Sequence, residues 1–106
     1  MKVARVVGNV VSTRHSPKLG GLKMLLVEEC DVRGKGKGSY LVAADSVGAG
    51  ADETVLIVSG SSARMAYPVE GTPIDTAVVA IIDSIVVEGK EIQPNALGRP
   101  KEPAGR

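Results

Sequence analysis

At 106 residues the chain has room for one domain, and a domain of this size buries somewhat over ~60% of the surface its unfolded chain exposes. Its 43% apolar content comes almost wholly from Val, Ala, Leu and Ile, with no Phe, no Trp and only Tyr40 and Tyr67, a composition that favours strands. The net charge of +1 removes any global electrostatic reason to expect a nucleic acid, an anionic membrane or an acidic substrate as partner.

Val3 to Thr13 is β-branched and predicts a strand, with Gly8 in its middle as a bulge or a point of close approach. His15 to Gly21 is turn chemistry, and Leu22 to Glu29 returns as a second strand, antiparallel to the first. Asp31 to Ser39 is a glycine-rich connection into a short third strand, Tyr40 to Ala44. Gly48-Ala49-Gly50 then leads to a fourth, Thr54 to Ser59, whose nearly continuous apolar run predicts burial on both faces.

A second small-residue cluster, Gly60-Ser61-Ser62, opens a short helix with Ser61 or Ser62 as N-cap; Pro68 and Gly71 limit it to a turn or two. Thr72-Pro73-Ile74-Asp75 has the order of a helix start, but the β-branched residues that follow return the chain at once to a strand. Glu88-Gly89-Lys90 is a turn into a last strand around Ile92. From Pro94 onward three prolines and two glycines in thirteen residues offer little to bury. The expected organisation is one all-β domain over 1–93, a small five- to six-stranded barrel with one or two helical turns, and an extended tail over 94–106.

The charge is unevenly placed. Eight of the thirteen basic residues precede Tyr40, whereas Leu41 to Glu88 holds seven acids against Arg64 alone. A fold that put these halves on opposite sides would let a basic face meet an acidic edge of another copy; two ordinary solvated patterns explain the same counts. Cys30 stands alone, which excludes an intrachain disulfide and fits a reducing cytosol. Nothing reads as a signal peptide, and the longest apolar stretch, Ala77 to Val87, is far shorter than the ~20 residues that span a bilayer. A soluble, cytoplasmic protein with no membrane partner is expected.

The stock for catalysis is thin. His15 is the only histidine and has no local carboxylate to orient it, and the acids around Cys30 raise a thiol pKa rather than lower it. One Cys and one His do not make a tetrahedral zinc site. A Walker loop ending at Gly36-Lys37 would need Gly at position 31 and Ser or Thr at 38, where Asp31 and Gly38 stand. Gly48-Ala49-Gly50 lacks the third glycine of a dinucleotide fingerprint, and Asp52 and Glu53 repel a phosphate. Asp45 reads as a turn residue and Asp75 as a helix-start charge. No catalytic residue, metal or cofactor is assigned. A barrel could still bind single-stranded nucleic acid, but two tyrosines and a balanced charge equip it poorly.

In fixed order the chain carries Gly8, Val10, Thr13, Gly21, Lys23, Leu25 and Val27; Val42-Ala43-Ala44-Asp45; Gly48-Ala49-Gly50; Gly60-Ser61 and Ala63-Arg64; then Pro73-Ile74-Asp75 and Ala77 to Asp83. Over about positions 1 to 90 this resembles the EutN/CcmL family of bacterial microcompartment vertex proteins. Thr54 stands where that family often has Trp, and the tail after Ile92 carries no family motif. The resemblance implies a non-enzymatic OB-like barrel that assembles as a homopentamer at the vertices of a protein shell in the cytoplasm. Hexameric and trimeric shell proteins are its implied partners, with no nucleic acid. The candidate residues for the subunit interface or central opening are Gly48, Ala49, Gly50, Gly60, Ser61, Ser62, Ala63, Arg64, Pro73 and Asp75, because small residues let copies approach closely around an axis.

Overall fold

A computed structural model describes residues 1–66 and 72–94. Five strands close into a barrel: β1 (Lys2–Asn9), β2 (Met24–Cys30), β3 (Gly36–Asp45), β4 (Thr54–Ser59) and β5 (Thr76–Ile81), in the spatial order β1-β2-β3-β5-β4. All neighbours are antiparallel except β3 and β5, which run parallel through Ala44↔Ala77 and Asp45↔Val78. That parallel pair needs a crossover, and α1 (Ser61–Ala66) lies on it. A separate two-stranded hairpin, β6 (Ile85–Val87) with β7 (Lys90–Ile92), follows the barrel.

The alternation of small aliphatic side chains decides what lies inside. Ala4 and Val6 of β1, Leu25 and Val27 of β2, Ala43 of β3, Val55 and Ile57 of β4 and Val78 of β5 fill the interior, with Leu41 and Ile81 packed against them. A second apolar cluster sits between the barrel wall and α1, where Val58, Ala44 and Ala77 meet Ala63 and Ile74. β4 therefore buries both faces, as its apolar run predicts. Gly8 marks a bulge, since Val6 pairs with Val27 and Gly8 with Leu26, leaving Val7 as the extra residue. At Glu88-Gly89 both residues have positive φ, 52° and 79°, the signature of a tight two-residue hairpin turn.

Three expectations are corrected. The third strand begins at Gly36, not Tyr40, because Glu28 accepts from the Gly38 amide at 2.9 Å and Glu29 from the Ser39 hydroxyl at 3.0 Å, tying the glycine-rich segment to β2. Thr72 to Asp75 forms no helix. The Asp75 carbonyl accepts from Gly60 N at 2.8 Å and Thr76 pairs with Ser59, so joining β4 outweighs the local helix signal. Neither Ser61 nor Ser62 caps α1: the Gly60 carbonyl accepts from the Ala63 and Arg64 amides, which makes Gly60 the capping position. The limits expected from Pro68 and Gly71, and residues 95–106 of the expected tail, lie outside the described residues; Pro94 itself is fully buried.

Candidate subunit interface

The ten candidate residues fall into two groups at opposite ends of β4, about 17 Å apart by the strand rise. Gly48, Ala49 and Gly50 belong to the loop that leaves β3 and enters β4. Its anchor is Asp45, whose side chain is wholly buried and accepts from Val47 N at 3.1 Å and Ala49 N at 3.0 Å. Lys23 closes the arrangement: its Nζ lies 3.1 Å from Asp45 Oδ2 and donates to the Ala49 carbonyl at 3.1 Å. Glu53 caps the far side by accepting from Gly50 N at 2.6 Å, and Asp52 N and Glu53 O bond both backbone groups of Val6. The result pushes Ala49 into the barrel core, where it is 1% exposed.

The second group presents more surface. Gly60, Ser61, Ser62 and Arg64 are exposed along the outer side of α1, while Ala63 is fully buried against Val58 and Ile74. Pro73 and Asp75 are exposed beside them. Among the described residues Arg64 has no carboxylate partner.

Backbone conformation sorts the glycines. Gly48 and Gly60 have φ of 82° and 66°, a left-handed region that a side chain strains, so the chain's own turns explain them. Gly50 has no such need, and a Cβ there would meet only Glu53 Oε1 at ordinary distance, 3.4 Å. Of the three, Gly50 is the one whose smallness the monomer does not require.

Sequence reasoning missed the apolar surface outside both loops. The outer side of β2 and β3 exposes Val42 and Tyr40, and Val86 stands 69% exposed on β6. Beside Val42 lies a groove of about 180 Å³ lined by Leu19, Leu22, Met24, Pro73 and Ile74. The available signal was that Met24 and Leu26 alternate with the core-facing Leu25 and Val27, which leaves an apolar outer face.

The chemistry-bearing residues do not converge. His15 is exposed, its Nδ1 3.0 Å from the carbonyl of Ser16. Burial pushes the Cys30 thiol up, with Asp31 adding to it; the expected direction holds, but burial rather than acidic neighbours leads. Arg5 lies 3.6 Å from Glu28 and 4.0 Å from Asp52, a structural cluster beside the fully buried Thr54. Among the described residues no three His, Cys, Asp or Glu side chains gather as metal ligands, and no helix is long and apolar enough to cross a membrane.

The described residues form a closed aliphatic barrel with a covering helical turn, a separate two-stranded hairpin and exposed apolar side chains, a small all-β domain. The chain belongs to the EutN/CcmL family: the family model described as ethanolamine utilisation protein EutN/carboxysome matches residues 1–83. It is 53% identical over 93 residues to the carboxysome shell vertex protein CcmL of Nostoc sp., covering 87% of this chain and 92% of that one. The solved structure of Nostoc CcmL superposes with a TM-score of 0.80 at 50% identity, covering 88% and 98% of the two chains. The shell vertex protein EutN of Salmonella typhimurium is 46% identical over 92 residues, 87% of this chain and 93% of that one. The solved structure of GrpN, a pentameric microcompartment shell protein from Rhodospirillum rubrum, has a TM-score of 0.72 at 39% identity, covering 82% and 98%.

Proposed function

We propose that the chain assembles as a homopentamer and caps the vertices of a bacterial microcompartment shell in the cytoplasm, without catalytic activity. A flat lattice of six-fold tiles cannot close on itself; five-fold units among hexameric and trimeric tiles supply the missing curvature. A cyclic pentamer repeats one heterologous contact around a ring, so each subunit must carry two different complementary patches. The observation that carries the reading is the likeness to a pentameric shell protein over most of both chains. The exposed aliphatic side chains Val42 and Val86 supply surface that such a contact would cover. The nucleic-acid alternative gains nothing: Tyr40 pairs across the strands with Glu28, a poor neighbour for a base and phosphate.

Native mass spectrometry of the full chain at micromolar concentration tests this. The expected mass is five times the 10.9 kDa of one chain; a monomer or dimer would overturn the ring.

A further inference from the structure

The two ends of β5 carry features that complement each other. At its start the groove beside Val42 is open, its apolar wall formed by Leu22, Met24 and the Pro73-Ile74 segment. At its end Ile82 N bonds the Thr54 carbonyl, and after Asp83 and Ser84 the chain leaves the barrel as the β6–β7 hairpin. A two-stranded hairpin is marginal by itself in water. Ile85 pairs with Ile92, which is buried, so Val86 and Glu91, the next pair along, point to the opposite face and are exposed.

Charge follows the same division. The hairpin segment bears Asp83, Glu88 and Glu91 against Lys90 alone, whereas the segment leading into Leu19 of the groove bears Arg14 and Lys18, neither with a carboxylate partner among the described residues, and Asp75 lines the groove itself. β5 separates hairpin from groove by about 17 Å of strand, so the two lie on different parts of one subunit. That is the arrangement a ring needs, with one patch given to the next copy and another receiving from the previous one.

We infer that Val86 of one copy seats in the groove beside Val42 of the next copy, with the hairpin's acids facing the Arg14–Lys18 turn. This rests on the pentamer reading and names the two patches that build it. The hairpin is thereby stabilised in the assembly by apolar burial that the isolated chain lacks.

The test uses the full chain with Val86→Cys and Val42→Cys together, joined by a short bismaleimide; the single variants control for the native Cys30. Expected is a ladder of linked chains up to five on a denaturing gel, absent from either single variant. A link confined within one chain, or no link while the native mass still shows the ring, overturns the hairpin contact and leaves the pentamer standing. A second variant, Val86→Glu, should lose the ring at micromolar concentration with the far-ultraviolet circular dichroism of the barrel unchanged; an intact ring overturns the inference. A wild-type chain that is monomeric fails both readings, and the native mass separates that case from the others.

Discussion

The two small-residue clusters at the ends of β4 look alike in sequence and are held differently in the structure. In Gly48-Ala49-Gly50, Asp45, Lys23 and Glu53 take up backbone groups and Ala49 enters the core, while Gly48 and Gly50 stay exposed. Gly60 to Arg64 is turned outward: only Ala63 is buried, and Ser61, Ser62 and Arg64 are left at the surface. A run of small residues can thus be pinned by side chains of its own barrel or left without such pins at the surface. The difference lies in the polar groups nearby. A buried carboxylate ready to accept amides draws the first cluster in, and the second has no such anchor among the described residues.

Substitutions at Asp45 and Ala49 should therefore unfold the chain, and those at the exposed positions of either cluster should only disassemble it. The largest effect is expected from Asp45→Ala, which strands the Val47 and Ala49 amides and removes the partner of Lys23. With a stranded buried donor costing ~1–3 kcal/mol and the part-buried Val47 amide less, a loss of about 2 kcal/mol should appear in urea unfolding at fixed protein concentration. A loss under about 1 kcal/mol would show that the loop closes without its anchor. Ala49→Leu overpacks the same core and should cost ~1–3 kcal/mol by the same measurement.

Ser61→Trp and Gly50→Val should change monomer stability by no more than ~0.5 kcal/mol, because Ser61 is exposed and a Cβ at Gly50 meets only ordinary contacts. Both should nevertheless disrupt the ring. If either variant keeps the native pentamer mass, its position is not at a close approach between copies.

The smallest effect concerns acid. The Ser39 hydroxyl and Lys2 hold the Glu29 carboxyl below its ordinary range, and amides of Lys35 and Arg33 do the same for Asp31. A lowered carboxylate pKa contributes stability that is present at neutral pH and is lost as pH falls from the ordinary carboxylate range, around pH 4, through the folded value. Ser39→Ala should flatten that acid-side decline slightly, read from melting temperatures between pH 3 and pH 5. An unchanged slope would show that this exposed bond contributes nothing.

Much of the fold was legible in the chain itself. The position of β4, the antiparallel β1–β2 pair and the irregularity at Gly8 follow from local chemistry: β-branched runs make strands, and glycine admits bulges. The order of the motifs also carried the family, because spacing along a chain is preserved in its sequence. What the sequence misread were places where a distant strand competes with a local preference. Thr72 to Asp75 has helix-start residues, yet Gly60 and β4 offer hydrogen bonds that a helix there would forgo. Gly36 to Ser39 has loop residues, yet Glu28 and Glu29 draw them into β3.

Only the tertiary structure decided which way each small-residue cluster faces and which aliphatic side chains remain at the surface. Composition gives Ala49 and Val86 no label of inside or outside. Closing the barrel assigns the labels, since it brings Asp45 against the first loop and leaves β6 beyond the end of β5. Local sequence sets what a segment prefers, and the pairing of segments far apart in the chain settles what it touches.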